Sequence, residues 1–296
     1  MHLQIGRVIQ KVALISFTLS LFSQMSASTP EKKIVVRGSD AMLSLAMRWS
    51  NLLSTNGSHI SLDVNGGGPA AGIKLLAAKR TDIAQLPRKL SQAEKSILGG
   101  GSAEFPVALE SVVVYVHKSN PVVQLSIQQL KEIYTGRITS WKSIDGRDAP
   151  INLYSTESLV GGSLFFREVV LGSEEFDTVM QGFSNTKRML ETLARDPNGI
   201  GFGDLEAGPS AKPVRIAKGS NFASVEPTFE SIRSINYPLS RYLYWVVLTP
   251  LSPDMTRLCD WVESQQGQLV VEAAGYYPLN SDDRSRATGT IHGGGR

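Results

Sequence analysis

Cysteine is almost absent. Cys259 is the only one in 296 residues, so no disulfide can form within the chain, and no cysteine lies near the N-terminus to carry a lipid. It shares an apolar stripe with Met255, Leu258 and Val262, where a thiol packs as a small hydrophobe. Histidine is scarce as well. Of the four, His2 and His292 lie at the ends, and His59 and His117 share no metal-ligand spacing with each other or with Cys259, so neither a metal nor a cofactor is expected. The chain has no Gly-x-Ser-x-Gly elbow and no Gly-Lys-Ser/Thr loop, and acyl transfer and nucleotide hydrolysis therefore lack their recognisable parts. Gly66-x-Gly68-x-x-Ala71 fits a dinucleotide fingerprint only loosely and lacks the acid that would hold a ribose. No cluster of Lys and Arg interleaves with aromatics, which argues against nucleic acid or an acidic membrane surface as partner. An enzyme is not expected.

An apolar run, Val12 to Phe22, lies near the start of the sequence, preceded by Arg7 and Lys11 and followed by Ser26, Ala27 and Ser28. It is too short to span a bilayer stably, and its order is that of an export signal, residues 1–27, cleaved near Ala27. Its loss removes two basic residues and no acids, so the formal +3 becomes +1. The expected product is a nearly neutral, monomeric protein of the periplasm, or one released outside the cell.

The chain as a whole is 42% hydrophobic, enough to build substantial cores. Lys33 to Val36 reads as a strand, followed by Met42, Leu45, Ala46, Trp49, Leu52 and Leu53 at helical spacing, with Ser39 or Asp40 as the helix cap. Ile60 to Val64 and the Ile73, Leu76, Ala77 helix repeat the unit, and Asp82 to Ala84 gives a third strand. Such alternation predicts an α/β fold with a largely parallel sheet. Ser91 with Glu94, and Ser126 with Gln129, have the spacing of capping boxes. Two long apolar stretches, Phe105 to His117 (interrupted by Glu110 and Ser111) and Ile235 to Leu248, read as crossings between domains. Two crossings imply two lobes with a hinge and an inter-lobe cleft. Residues 32–112 and 243–280 form lobe 1, residues 113–242 form lobe 2, and the polar residues 281–296 are expected to be disordered.

Three strand-turn-helix junctions aim backbone N–H groups outward, where the positive end of a helix dipole favours an anion. They are Val35 to Asp40, the glycine run Asn65-Gly66-Gly67-Gly68-Pro69-Ala70-Ala71-Gly72, and Tyr154 to Ser163. Arg88, just past the third strand, could add a charged donor or pair on the surface.

Seven blocks then occur in a familiar order: Gly38-Ser39-Asp40-Ala41-Met42, the Gly66 to Gly72 turn, Asp82-Ile83-Ala84 followed by Arg88, Ile133 to Trp141, Asn198-Gly199-Ile200-Gly201-Phe202, Tyr237-Pro238-Leu239 with Arg241, and Gly275-Tyr276-Tyr277-Pro278-Leu279. The chain thereby resembles the periplasmic phosphate-binding proteins, the solute receptors of phosphate ABC importers. The resemblance implies a two-lobed type II periplasmic-binding-protein fold, a small anion (phosphate or another oxyanion) as ligand, and an ABC permease as partner. Carried over position by position, it implies a site made of Ser39, Asp40, Ala41, Ala71, Gly72, Arg88, Ser155, Thr156, Gly161 and Gly162. It also implies a degenerate grip. Ala41 stands where the family commonly has Thr, Pro69 and Ala71 where it has Ser and Thr, Pro87 where a Ser often precedes Arg, and Thr156 where it usually has Arg. An alternative reading on the same fold is a periplasmic or secreted interaction or sensory protein that no longer binds phosphate.

Overall fold

The computed structural model describes residues 32–156, 162–205 and 211–288, so the expected export signal lies outside the described residues. β1 (Lys32–Gly38) passes through a 3-10 turn, Asp40–Met42, into α1 (Leu43–Thr55). β2 (Ile60–Gly67), α2 (Pro69–Ala77) and β3 (Ile83–Leu86) follow. α1 buries Leu45, Ala46, Trp49 and Leu53, the stripe expected of a 3.6-residue period. Its expected side-chain cap does not form at Ser39 or Asp40. The Asp40 carboxylate instead accepts the Gly67 amide at 3.1 Å, a bond that ties one turn to the next. α3 (Gln92–Ile97) carries the full capping box of Ser91 and Glu94, and β4 (Ser102–Ser111) completes this first passage.

Beyond Val112 the chain enters a second sheet. β5 (Val113–His117), β6 (Gln124–Ser126) and α4 (Ile127–Tyr134) come first, α4 with the capping box of Ser126 and Gln129. β7 (Asn152–Thr156) precedes α5 (Gly162–Phe166), which runs on as a π turn, Arg167–Leu171. β8 (Gln181–Phe183), α6 (Thr186–Leu193), β9 (Gly199–Gly203), β10 (Ala211–Pro213), β11 (Arg215–Ala217) and α7 (Phe229–Arg233) complete it. β12 (Ser240–Leu248) then returns to the first sheet, followed by α8 (Pro253–Glu263), α9 (Gln265–Ala273) and α10 (Ser281–Thr288).

Sheet 1 has the order β2-β1-β3-β12-β4 and sheet 2 the order β10-β5-β9-β7-β8. β1 runs parallel to β2 and β3, while β12 is antiparallel to both β3 and β4. The two crossings lie side by side. The Val112 amide donates to the Leu239 carbonyl at 3.0 Å, and the Ser111 hydroxyl donates to the same oxygen at 2.9 Å. Ser240 already pairs with Ser111, so the return to sheet 1 falls at 239/240 rather than at 242/243. The apolar run that suggested the boundary, Ile235 to Leu248, extends to both sides of this point and does not by itself mark where the chain changes sheet.

Residues 281–288 differ from the expected disordered tail. They form α10, in which Asp283 and Ala287 are buried, while residues 289–296 lie outside the described ones. A helix with only two inward positions has no apolar period to announce it; tertiary contacts select it.

Candidate functional site

The first two turns are knit together by backbone. Gly38 has φ +137°, and a Cβ there would lie 2.4 Å from the Gln85 carbonyl, so only glycine fits between β1 and β3. The Ser39 amide donates to that carbonyl at 2.9 Å, and the Gly68 amide donates to the Gly38 carbonyl at 2.9 Å. Gly72 lets α2 press onto β1, since a Cβ there would sit 2.9 Å from Gly38 Cα. Its amide donates to the Gly68 carbonyl within the start of the helix. Thus the amides of Ser39, Gly67, Gly68 and Gly72 are taken up internally. Among the described residues the amides of Asp40, Ala41, Ala70 and Ala71 carry no bond, and these are the orphan donors of two helix starts. Of the expected site residues, Ser39, Ala41 and Gly72 are buried, Asp40 is exposed and Ala71 is half-buried. The Ala41 carbonyl accepts the Tyr276 hydroxyl at 2.6 Å. Burial pushes the Tyr276 phenol up, which keeps it a proton donor.

Arg88 makes a two-pronged pair with Glu94, at 2.7 and 2.9 Å. The hydrogen bond from Arg88 is the chief reason that the Glu94 carboxyl is pulled down to about 2. Of the two readings of Arg88, donor to the site or surface ion pair, the geometry here is that of the ion pair.

At the third turn Ser155 is buried, and the Ser163 hydroxyl donates to the Thr156 carbonyl at 2.9 Å. Gly161 lies outside the described residues. Gly162 begins α5 against the crossing, a Cβ there falling 3.2 Å from a Val112 methyl. The start of α5 therefore packs against the crossing.

One group of residues escaped the sequence reading of the site. Arg241 of β12 donates through Nε to Glu110 of β4 at 2.7 Å and through Nη1 to Glu168 at 2.8 Å. Burial raises the Glu110 carboxyl, with Arg241 opposing it. The signal was available: Glu110 and Arg241 each interrupt a long apolar strand, and a charge placed there needs a partner.

Cavities of about 630 Å³, beside Gln124, Gln128 and Phe222, and of about 490 Å³, between α1 and α9, include none of the expected site residues. Among the described residues no group of three or more His, Cys, Asp or Glu could hold a metal ion, and no helix is long and apolar enough to cross a membrane.

The profile of the PBP superfamily domain matches residues 24–266. The phosphate-binding protein PstS of Pseudomonas aeruginosa is 26% identical over 263 residues, covering 82% of this chain and 81% of that protein. The crystal structure described as a possible phosphate binding protein from Planctomyces limnophilus superposes with a TM-score of 0.77 at 20% identity, covering 89% of this chain and all of that one. A putative phosphate ABC transporter substrate-binding protein with bound phosphate from Clostridium perfringens gives 0.51 at 27% identity, over 84% of this chain and all of that one. The two-sheet α/β architecture is the two-lobed type II periplasmic-binding-protein fold. The chain belongs to the PBP superfamily, and the relatives and solved structures it resembles are described as phosphate-binding proteins.

Proposed function

We propose that this chain is an exported solute receptor of the phosphate-importer type, a monomer of the periplasm that takes phosphate or another small oxyanion between its lobes and hands it to an ABC permease. The observation that carries the reading is the set of unbonded amides at Asp40, Ala41, Ala70 and Ala71, brought to one edge of sheet 1 by the Gly38 and Gly72 contacts. Backbone N–H groups at helix starts are oxyanion donors that need no particular side chain. Gly161 and Gly162 would complete the site from lobe 2. The role is binding and release by hinge closure, without covalent chemistry.

The grip is weaker than the resemblance alone would suggest. Ala41, Ala71 and Thr156 supply neither the hydroxyls nor the guanidinium of the usual pattern, and the Arg88 guanidinium is engaged with Glu94. Each missing hydrogen bond to a charged ligand costs about 1.5 to 3 kcal/mol, while a micromolar affinity is worth only about 8 kcal/mol. Calorimetric titration of the mature protein with phosphate should therefore give weak binding. Restoring Ala41→Thr, Ala71→Thr and Thr156→Arg together should tighten it by roughly a hundredfold or more. If the triple variant gains nothing, the assignment of these three turns to the ligand is wrong.

A further inference from the structure

Arg241 stands at the point where the returning strand enters sheet 1, and its contacts come from both lobes. Glu110, on the neighbouring strand of the same sheet, takes Nε at 2.7 Å. Glu168, on the π turn that continues α5 in lobe 2, takes Nη1 at 2.8 Å. The Phe165 ring, on α5 itself, lies face-on with its centroid 4.2 Å from the guanidinium carbon. Two of the three partners therefore belong to the opposite lobe.

These partners differ in access to water. The Glu110 side chain is 3% exposed and that of Arg241 13%, whereas Glu168 is 50% exposed. Removing either buried member would strand a charge, so the Arg241–Glu110 pair is a fixed part of sheet 1. Glu168 can leave the pair and be hydrated at little cost, because its carboxylate already faces solvent. Planar guanidinium geometry, with a ring beneath and a carboxylate at the edge, also selects arginine over lysine here.

We infer that Arg241 is a clasp between the lobes: Glu168 and Phe165 of lobe 2 close on a guanidinium that Glu110 holds rigidly in lobe 1, and so bias the lobe angle when no solute is bound. The clasp acts on the same helix that begins at Gly162. Lobe closure is a two-state equilibrium, and a contact present in only one state shifts its population by the strength of that contact. The inference depends on the two-lobed fold and on no ligand.

Pulsed electron-resonance distances between spin labels on the mature protein, at Asn51→Cys on α1 and Lys187→Cys on α6, test it in phosphate-free buffer. Both positions are exposed. Cys259 is buried, and burial pushes its thiol up to about 12, so the labels enter only at the introduced sites. Glu168→Gln, a half-exposed substitution of equal size, should raise the population of longer distances by about two- to fivefold. Salt at about 1 M, where screening acts within about 3 Å, should move the unsubstituted protein the same way and leave Glu168→Gln unmoved. Superimposable distributions for the two proteins, a shift to shorter distances, or an equal salt response in both would overturn the clasp.

Discussion

Arg88 and Glu94 are six residues apart, and their pairing is carried by the start of α3. The Glu94 carboxylate accepts both prongs of the guanidinium as well as the Ser91 amide and hydroxyl. A carboxylate met by this many donors resists protonation, which is why it titrates at about 2 rather than 4.5. A depressed carboxyl contributes stability that is present above its unfolded value and is lost as pH falls through the folded one. Glu94→Gln should therefore remove part of the stability measured at pH 7 and flatten the acid-side decline between about pH 5 and pH 2, as read by denaturant midpoints across that range. Glu110 works in the opposite direction. Its carboxyl is raised by burial, so it opposes folding as pH climbs past the ordinary carboxylate value. At the turns, Gly38 and Gly72 each allow a close approach that a methyl would block, and glycine at a strand-turn-helix junction is the sequence signal for such a contact. Arg88 was not legible, because the sequence offers Glu94 and a ligand as equal claimants and only the three-dimensional pairing separates them.

At the scale of elements, α10 shows what tertiary contact can impose on a polar segment. Asp283 is fully buried, paired with Arg233 of α7, and accepts the Asn280 amide at 3.0 Å. Arg233 also reaches the Pro278 carbonyl at 3.2 Å, and its own carbonyl accepts the Tyr242 hydroxyl at 2.8 Å. α10 is thus fastened to a helix on the far side of the second crossing. Breaking a buried pair from one side leaves the other charge uncompensated, at a cost of about 3 to 5 kcal/mol. Asp283→Asn should lower the unfolding free energy by that order in a urea titration, and a chain ended after Asn280 should be at least as unstable. A mere disordered tail would show no change in either case. The capping boxes at Ser91 and Ser126 were legible in the sequence because both members of each bond lie within a few residues. α10 and the Arg241 group were not legible. Their partners are 50, 131 and 73 residues away, and no local pattern encodes a separation of that size.

For the whole molecule, two sheets do not mean two independent folding units. Sheet 1 keeps a core of its own, in which Trp49 meets Trp245 edge to face with centroids 5.2 Å apart. The core of sheet 2, however, takes in Leu109, Tyr242 and Tyr244 from the strands of sheet 1, together with Leu279 and Ala287 from the C-terminal segment. Backbone bonds reinforce this shared zone: Leu109 and Tyr277 exchange N–H···O bonds at 3.0 and 2.8 Å, and the Leu205 amide donates to the Tyr277 hydroxyl at 3.2 Å. All of these contacts gather beside the crossings. Unfolding one lobe alone would expose the shared apolar surface at about 25 cal/mol per Å² and strand Asp283 or Arg233. That penalty makes a half-folded chain scarce. Calorimetry of the mature protein should accordingly give one heat-absorption peak, with a calorimetric enthalpy equal to the van't Hoff value. Two peaks, or a calorimetric enthalpy near twice the van't Hoff one, would mean that the shared zone does not couple the lobes. Asp283→Asn extends the test: it weakens this zone while leaving both central sheets intact, so it should broaden or split the single transition, whereas Glu168→Gln, acting at a solvent-facing carboxylate, should leave its shape unchanged.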